Sequence, residues 1–185
     1  KDIFREIRKS ALVNFYLRKM DIFYFFFHLA LNLGKNEACI AFITTNYWIT
    51  ASGAKKLRND FKERATIRNL INFNELKLFQ SAQGQHNMIT IVTKSGNISR
   101  NENVESYNSI TKRSGFAKPV ILHQILSKED PETDYFVVPQ KDLFEGQEMY
   151  IRLNGRYSKS KNSVQTVLEK MEINNKLDRV CFVNM

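Results

Sequence analysis

A loop-like stretch, residues 74–86, combines one aromatic ring with amide, basic and imidazole side chains. Phe79 has as its neighbours Lys77, Gln80, Gln83, Gln85, His86 and Asn87. An aromatic ring can stack on a nucleic-acid base while nearby amides and a lysine hydrogen-bond to base edges and phosphates. The residues alone leave a second interpretation open, in which Phe79 packs into the core and anchors the loop.

A second aromatic cluster, Asn46-Tyr47-Trp48, follows the apolar run at residues 38–45. Ligands usually bind at the carboxyl ends of strands in α/β proteins, so this cluster is either a second candidate surface or a packed strand end. Three basic segments are candidates for phosphate contacts or are solvated charged faces. They are residues 55–58, residues 112–113 and the segment containing Arg156, Lys159 and Lys161.

Other chemistries have little support. The seven glycines are scattered and form no phosphate-binding loop. His28, His86 and His123 have no Cys, His or carboxylate at ligand spacing, which predicts that no metal is bound. We expect His28 to be a hydrogen-bonded core residue and the other two to be solvated. Cys39 and Cys181 lie in apolar runs, and we predict that both are reduced and buried.

Hydrophobic periodicity predicts an α/β fold. Helices are predicted near residues 20–33 and 51–63, and strands near 38–45, 66–73 and 87–93. This order predicts a mainly parallel sheet, whose first strand is covered on both faces. The Phe79 loop joins the last two strands, and loops of its length are usually functional or flexible.

The texture of the sequence changes in residues 97–185, where short elements alternate with Gly and Pro. A strand is predicted at 135–138, a helix at 163–171 and a last apolar piece at 180–183. We predict an irregular α+β connector rather than a domain with its own core, and we place the boundary after residue 96.

The charge balance favours a polyanionic partner. The 185 residues include 28 Lys+Arg and 19 Asp+Glu, a net charge of +9, which suits nucleic acid or an anionic membrane surface, although a basic surface can be inert. The apolar run at 22–33 is shorter than the roughly 20 residues that a membrane span needs. No secretory segment is recognisable, so we expect an intracellular, cytoplasmic protein of bacterial type.

The first half of the chain resembles a known family. DIFYFFFHLALNLGKNEACIAFITTNYWITASGAKKLRNDF, followed by IRNLINFNELKLFQSAQGQHNMITIVTK, is similar to the motif V to VIII region of DNA adenine-N6 methyltransferases, and most similar to the gamma class of type IIG restriction-modification enzymes. The corresponding segments are residues 21–34, 40–48, 55–61, 67–73 and 78–94. Thr45 replaces a usual proline, and residues 36–38 replace a Pro-Gly-Gly turn. Residues 134–153 and 176–185 resemble the family's link to a DNA-specificity domain.

This resemblance implies the C-terminal half of a Rossmann-like methyltransferase sheet, in a protein that binds S-adenosyl-L-methionine and double-stranded DNA and needs no metal. It implies that Phe79 stacks against the target adenine after the base is flipped from the duplex. It also implies that Phe26, with Phe23, borders the adenine of the cofactor. The candidate DNA contacts around Phe79 are Lys77, Gln80, Gln83 and Gln85.

Two motifs of the family are absent from the sequence: the Gly-rich cofactor loop and Asn-Pro-Pro-Tyr, since no two prolines are adjacent. In the family, Asn-Pro-Pro-Tyr accepts the hydrogens of the adenine amino group. We expect both motifs upstream in the same polypeptide and predict no catalytic residue here. The alternatives are a catalytically silent DNA-binding or scaffolding module, or an RNA or protein methyltransferase of the same fold.

Overall fold

The fold is built on a five-stranded sheet flanked by helices, as seen in the computed structural model, which describes residues 2–81, 85–95 and 104–155. The α-helices are α1 (Asp2–Lys9), α2 (Phe23–Leu33), α3 (Lys55–Arg64), α4 (Pro119–Leu126) and α5 (Gln140–Leu143). The strands are β1 (Cys39–Thr45), β2 (Ala65–Asn72), β3 (Leu76–Lys77), β4 (Asn87–Lys94), β5 (Glu105–Thr111), β6 (Gly115–Phe116), β7 (Thr133–Pro139), β8 (Phe144–Glu145) and β9 (Tyr150–Ile151). The predicted α/β class is confirmed, as are the two helices and three strands predicted for the first half, which correspond to α2, α3, β1, β2 and β4, and α1 and β3 are additional elements. The predicted helix at 163–171 and apolar piece at 180–183, with Cys181, lie outside the described residues.

The prediction of a mainly parallel sheet is wrong. The strand order is β1-β4-β2-β5-β7, and only β2 and β5 are parallel neighbours. The reason is that the Phe79 loop turns the chain back, so that β4 inserts antiparallel between β1 and β2. These two strands therefore still run in the same direction and end at the same edge of the sheet, called here the carboxyl edge.

The helices α2 and α3 cover one face of the sheet and enclose the main core. Phe27 of α2 makes edge-to-face contacts with Phe42 of β1 at 4.9 Å and with Phe61 of α3 at 5.1 Å between ring centroids. Trp48 is fully buried beside them. Burial of each such side chain contributes about 1.5–3 kcal/mol, so this cluster holds both helices on the sheet.

The opposite face of the sheet is covered only in part. α4 and β3 pack over the end of β2 around Phe73, Leu76 and Ile125, whereas side chains of β1 on this face stay exposed, Ile43 with 49% of its surface. The prediction that β1 is covered on both faces is wrong within the described residues. Cys39, predicted to be buried, is likewise exposed. It is the first residue of the edge strand β1 and lies on the open face of the sheet.

Residues 104–155 depart from the predicted irregular connector, because β5 and β7 extend the same sheet. The strand predicted at 135–138 is confirmed within β7. The sheet therefore continues across the boundary predicted after residue 96. The role of residues 97–185 as a link to a specificity domain stays a prediction.

Neither a membrane-spanning helix nor a metal-binding cluster is found among the described residues. No helix in the described ranges is long and apolar enough to cross a membrane. The same ranges contain no group of three or more His, Cys, Asp or Glu side chains placed to hold a metal ion.

A buried ionic cluster joins α2 to α3. His28 is fully buried, as expected for a core histidine, and its Nδ1 lies 2.5 Å from Asp60 Oδ2. Arg64 Nη2 donates to the same oxygen at 2.6 Å, and the Phe15 ring stacks on the imidazole at 4.0 Å. Burial alone would raise the pKa of Asp60, but the hydrogen bonds from His28 and Arg64 outweigh it and hold that pKa below its usual value.

The Asp60 cluster makes the free energy of unfolding depend on pH. Because the folded-state pKa of Asp60 lies below the unfolded value of about 3.9, its contribution is complete above about pH 4 and disappears as the pH falls through the folded pKa. Asp60→Asn should cost about 1.5–3 kcal/mol at pH 7, measured by urea unfolding, and the gap to the parent should shrink below about pH 4. Asp134→Asn, at the exposed ion pair with Lys112, should cost less than about 1 kcal/mol. A gap for Asp60→Asn that does not change between pH 7 and pH 3 would contradict the role of the carboxylate.

Candidate nucleic-acid interface

A hydrogen-bonded cluster lies at the carboxyl edge of the sheet and is called here the amide cluster. It consists of the side chains of Asn46, Asn72 and His86 together with backbone groups of Asn46, Asn74 and His86. Asn46 follows β1, Asn72 is the last residue of β2, and His86 immediately precedes β4. They meet because β1 and β2 end at this edge and β4 starts between them. The sequence predicts a ligand surface at Asn46-Tyr47-Trp48, and the structure divides those three residues between this edge and the core.

The amide cluster is held by hydrogen bonds that join three segments of the chain. The Oδ1 atom of the buried Asn72 side chain accepts from Asn46 Nδ2 at 3.0 Å and from the Asn74 backbone N–H at 3.1 Å. The Asn46 N–H donates to the His86 carbonyl at 2.8 Å. His86 Nδ1 lies 2.9 Å from the Asn74 carbonyl oxygen, so the expectation that His86 is simply solvated is wrong.

The Phe79 loop starts and ends in the amide cluster, at Asn74 and His86. Leu76 is buried and Leu78 packs beside it, whereas Phe79 keeps 45% of its surface exposed. The interpretation of Phe79 as a core anchor is therefore wrong, because Leu76 and Leu78 do the anchoring. What remains is an exposed aromatic ring on a loop that is fixed at both ends.

The predicted DNA-contacting residues near Phe79 differ in the exposure of their side chains. Gln80 and Gln85 are exposed. Lys77 is half-buried, with its Nζ 5.5 Å from the ring centroid of Phe116. Gln83 lies outside the described residues, as do Arg156, Lys159 and Lys161.

The two aromatic side chains predicted to border a cofactor lie near the same edge. α2 runs antiparallel to β1, because its Phe27 contacts Trp48 at the carboxyl edge while Gly34 at its other end accepts a hydrogen bond from Lys94. Phe26 is 55% exposed. Phe23 is partly buried against the core, with its ring 4.6 Å from that of Tyr24, so of the two only Phe26 offers an open ring face.

The turn after β1 is fixed by a residue that the sequence does not single out for this role. Arg58 is fully buried, and its Nη1 donates to the carbonyls of Trp48 and Ala51, both at 2.7 Å. Its Nε donates to the Glu148 carbonyl at 3.0 Å. Burial lowers the pKa of Arg58.

Other side chains of the basic segments 55–58 and 112–113 form ion pairs within the protein. Lys55 pairs with Glu148 at 2.7 Å, and Lys112 with Asp134 at the same distance. Arg113 donates to the buried Asp130 at 2.6 Å. Arg58 is buried and therefore does not reach a phosphate, whereas phosphate contacts by the other residues of 55–58 and 112–113 stay a prediction.

Comparison with known proteins adds a family-level similarity. Residues 2–79 match the family described as Eco57I restriction-modification methylase. The match covers the elements from α1 to β3, including α2, β1, α3 and β2, and its last residue is Phe79. The resemblance to restriction-modification methylases is thereby confirmed for this part of the chain, whereas the gamma class, type IIG and adenine specificity stay predictions. No curated protein matches the chain.

Two solved structures are similar in fold. One is a protein assigned to the class I S-adenosylmethionine-dependent methyltransferases of Listeria monocytogenes, with 15% identity and a TM-score of 0.43 over 69% of this chain and 37% of that one. The other is assigned as the modification subunit of a type I restriction enzyme from Vibrio vulnificus YJ016, with 12% identity and a TM-score of 0.48 over 78% of this chain and 33% of that one. The chain thus spans about a third of the length of these structures.

The amide cluster predicts a local stability effect. Asn72→Leu keeps the branching of the side chain at Cγ but leaves Asn46 Nδ2 and the Asn74 N–H without their acceptor, which costs about 1–3 kcal/mol. Hydrogen exchange should accelerate at residues 46–50 and 85–87. Asn69→Leu on the same strand is the matched control, because its one hydrogen bond, to the Tyr107 carbonyl, is exposed. Unchanged exchange in Asn72→Leu would show that the cluster does not hold the loop.

Proposed function

We propose that this chain is part of a restriction-modification methyltransferase that transfers a methyl group from S-adenosyl-L-methionine to N6 of adenine in double-stranded DNA. The observation that carries the proposal is the match of residues 2–79 to the Eco57I methylase family together with the exposed Phe79 at the end of that match. The cytoplasm is the compartment in which such an enzyme meets its DNA.

Phe79 is proposed to receive the target base. Its ring is 45% exposed on a loop that Leu76, Leu78 and the amide cluster hold in place. Extrusion of a base from the duplex costs a few kcal/mol, and stacking on an aromatic ring returns about 1–3 kcal/mol. The exposed amides of Gln80 and Gln85 and the ammonium of Lys77 are proposed to contact the DNA around the extruded base.

Phe26 is proposed to border the adenine ring of the cofactor. Its open ring face at the carboxyl edge fits a planar heterocycle, whereas Phe23 is largely committed to the core. When bound, S-adenosyl-L-methionine supplies the sulfonium methyl group. This segment has no Asn-Pro-Pro-Tyr, so its own residues are proposed to position the base and the cofactor, while groups elsewhere in the polypeptide accept the amino hydrogens.

Phe79→Ala in the full-length protein tests the proposal. Loss of about 1–3 kcal/mol of stacking should slow single-turnover methylation of a duplex roughly 5- to 150-fold, measured with tritiated cofactor. Cofactor affinity, measured by calorimetry, should stay within about twofold, because Phe79 is assigned to the base and not to the donor. Phe79→Trp should retain most of the rate.

Leu33→Ala is the control, since Leu33 is an exposed apolar residue, at 77%, at the end of α2 that lies away from the carboxyl edge. It should leave the methylation rate within about twofold. Equal rates for Phe79→Ala and the parent, or equal losses in both alanine variants, would overturn the stacking role. Methylation found only on RNA or protein would overturn the proposed substrate.

A further inference from the structure

Phe116 is a second exposed phenylalanine beside the Phe79 loop. It keeps 54% of its surface exposed and lies outside residues 2–79, the part of the chain that matches the family. The short strand β6 pairs in parallel with β3, and Phe116 is the register partner of Lys77. The Ala117 N–H also donates to the Lys77 carbonyl at 2.9 Å. Backbone hydrogen bonds therefore fix the position of Phe116 relative to the loop.

The rings of Phe79 and Phe116 project to the outer side of this strand pair. The inner side consists of the residues that pack in the cluster around Phe73 and Ile125, namely Leu76, Leu78 and Ala117. Side chains alternate between the two sides of an extended chain, so Lys77, Phe79 and Phe116 lie on the side away from that cluster. Their exposure agrees with this placement, since Phe79 is 45% exposed.

The two exposed rings are close enough to meet one site on a duplex. Neighbouring strands lie about 4.8 Å apart, and the two residues from Lys77 to Phe79 extend at most about 7.6 Å. The Cα atoms of Phe79 and Phe116 are therefore no more than about 12 Å apart. Successive nucleotides of one DNA strand rise about 3.4 Å along the helix axis, so this distance spans about three to four base-pair steps.

Basic side chains flank Phe116 on both sides. The Lys77 ammonium lies 5.5 Å from the ring centroid of Phe116. Lys118 is exposed and forms no ion pair with any residue that the structure describes, whereas Arg113 in the same loop is paired with the buried Asp130. An exposed ring between two ammonium groups suits a nucleic acid, because the ring packs on a base while the ammonium groups neutralise phosphates.

We propose that Phe116 is an apolar wedge that fills the place in the base stack that the target adenine leaves. Phenylalanine side chains insert between base steps in this way in proteins that deform DNA. Phe79 holds the extruded base, Phe116 closes the gap behind it, and Lys77 and Lys118 contact the neighbouring phosphates. The wedge role rests on the proposed function, because it requires base extrusion, whereas the contact of Lys118 with DNA does not depend on methyl transfer.

Phe116→Ala in the full-length protein tests the wedge. On a duplex that the parent methylates, single-turnover methylation should slow about 5- to 150-fold, the range expected for the loss of one stacking contact. An abasic residue opposite the target adenine removes the pairing that opposes extrusion, so on that duplex the variant should stay within about threefold of the parent. Phe116→Leu keeps an apolar wedge and should retain most of the rate. Cofactor affinity within about twofold of the parent shows that the variants are folded.

Tyr107 and Lys128 form the matched control pair. Tyr107 is likewise an exposed aromatic residue, at 41%, with the Lys128 ammonium 4.4 Å from its ring centroid, but it is paired with Asn69 in the interior of β2. Tyr107→Ala should leave the methylation rate within about twofold. Duplex affinity, measured by fluorescence anisotropy over a range of salt concentrations, should depend less on salt in Lys118→Gln, with a slope smaller by about 1. Lys128→Gln should keep the slope of the parent.

Two results overturn the wedge role while the proposed function stands: a parental rate in Phe116→Ala, or an equal loss on the normal and the abasic duplex. An unchanged salt slope in Lys118→Gln overturns the contact of this surface with DNA. A parent that methylates no duplex overturns the proposed function and the wedge role with it, whereas the salt slope still decides the DNA contact.

Discussion

The buried guanidinium of Arg58 is the contact on which the geometry of the carboxyl edge depends. It binds the carbonyls of Trp48 and Ala51 in the turn after β1 and that of Glu148 before β9. The contact with the Trp48 carbonyl is fully buried, where an unpaired polar group costs about 1–3 kcal/mol, whereas the Ala51 carbonyl also accepts from the Ala54 N–H. One side chain of α3 thereby fixes where Asn46 and Tyr47 emerge, and it ties the segment 144–151 to the same helix.

The turn after β1, which Arg58 fixes, positions Asn46 for the hydrogen bonds of the amide cluster, and the amide cluster in turn holds both ends of the Phe79 loop. The loop is long, but Leu76 and Leu78 pack in the cluster around Phe73 and Ile125, and His86 is held by Asn74, so both ends of the loop are fixed. A ring presented on such a frame loses little further freedom when it binds a planar ligand, which favours affinity.

Sequence periodicity was sufficient to predict α2, α3, β1, β2 and β4, because their apolar spacing is regular and each element is bounded by turn residues, but it did not predict α1 or the two-residue β3. It could not predict that β4 inserts between β1 and β2, since strand order depends on long-range pairing and not on local pattern. The role of Arg58 was hidden for a related reason: it lies in a basic run that is typical of a solvated face. The exposure of Phe79 was also undecided, because an aromatic residue between Leu78 and Gln80 suits a core anchor as well as a surface ring. Residue chemistry offered base stacking as one of two interpretations of Phe79, and the family resemblance favoured it.

The outer edge of β1 has a practical consequence for work with this segment. No described strand pairs with that edge, and the strand reads CIAFITT, without proline or charge. Unpaired strand edges of this composition template the addition of further chains, and natural proteins usually guard them with charges, proline or a covering element. If no other element covers β1, the polypeptide is therefore expected to form insoluble β-rich aggregates at high concentration. The substitution Ile43→Lys, at an exposed position of β1, is the simplest protection.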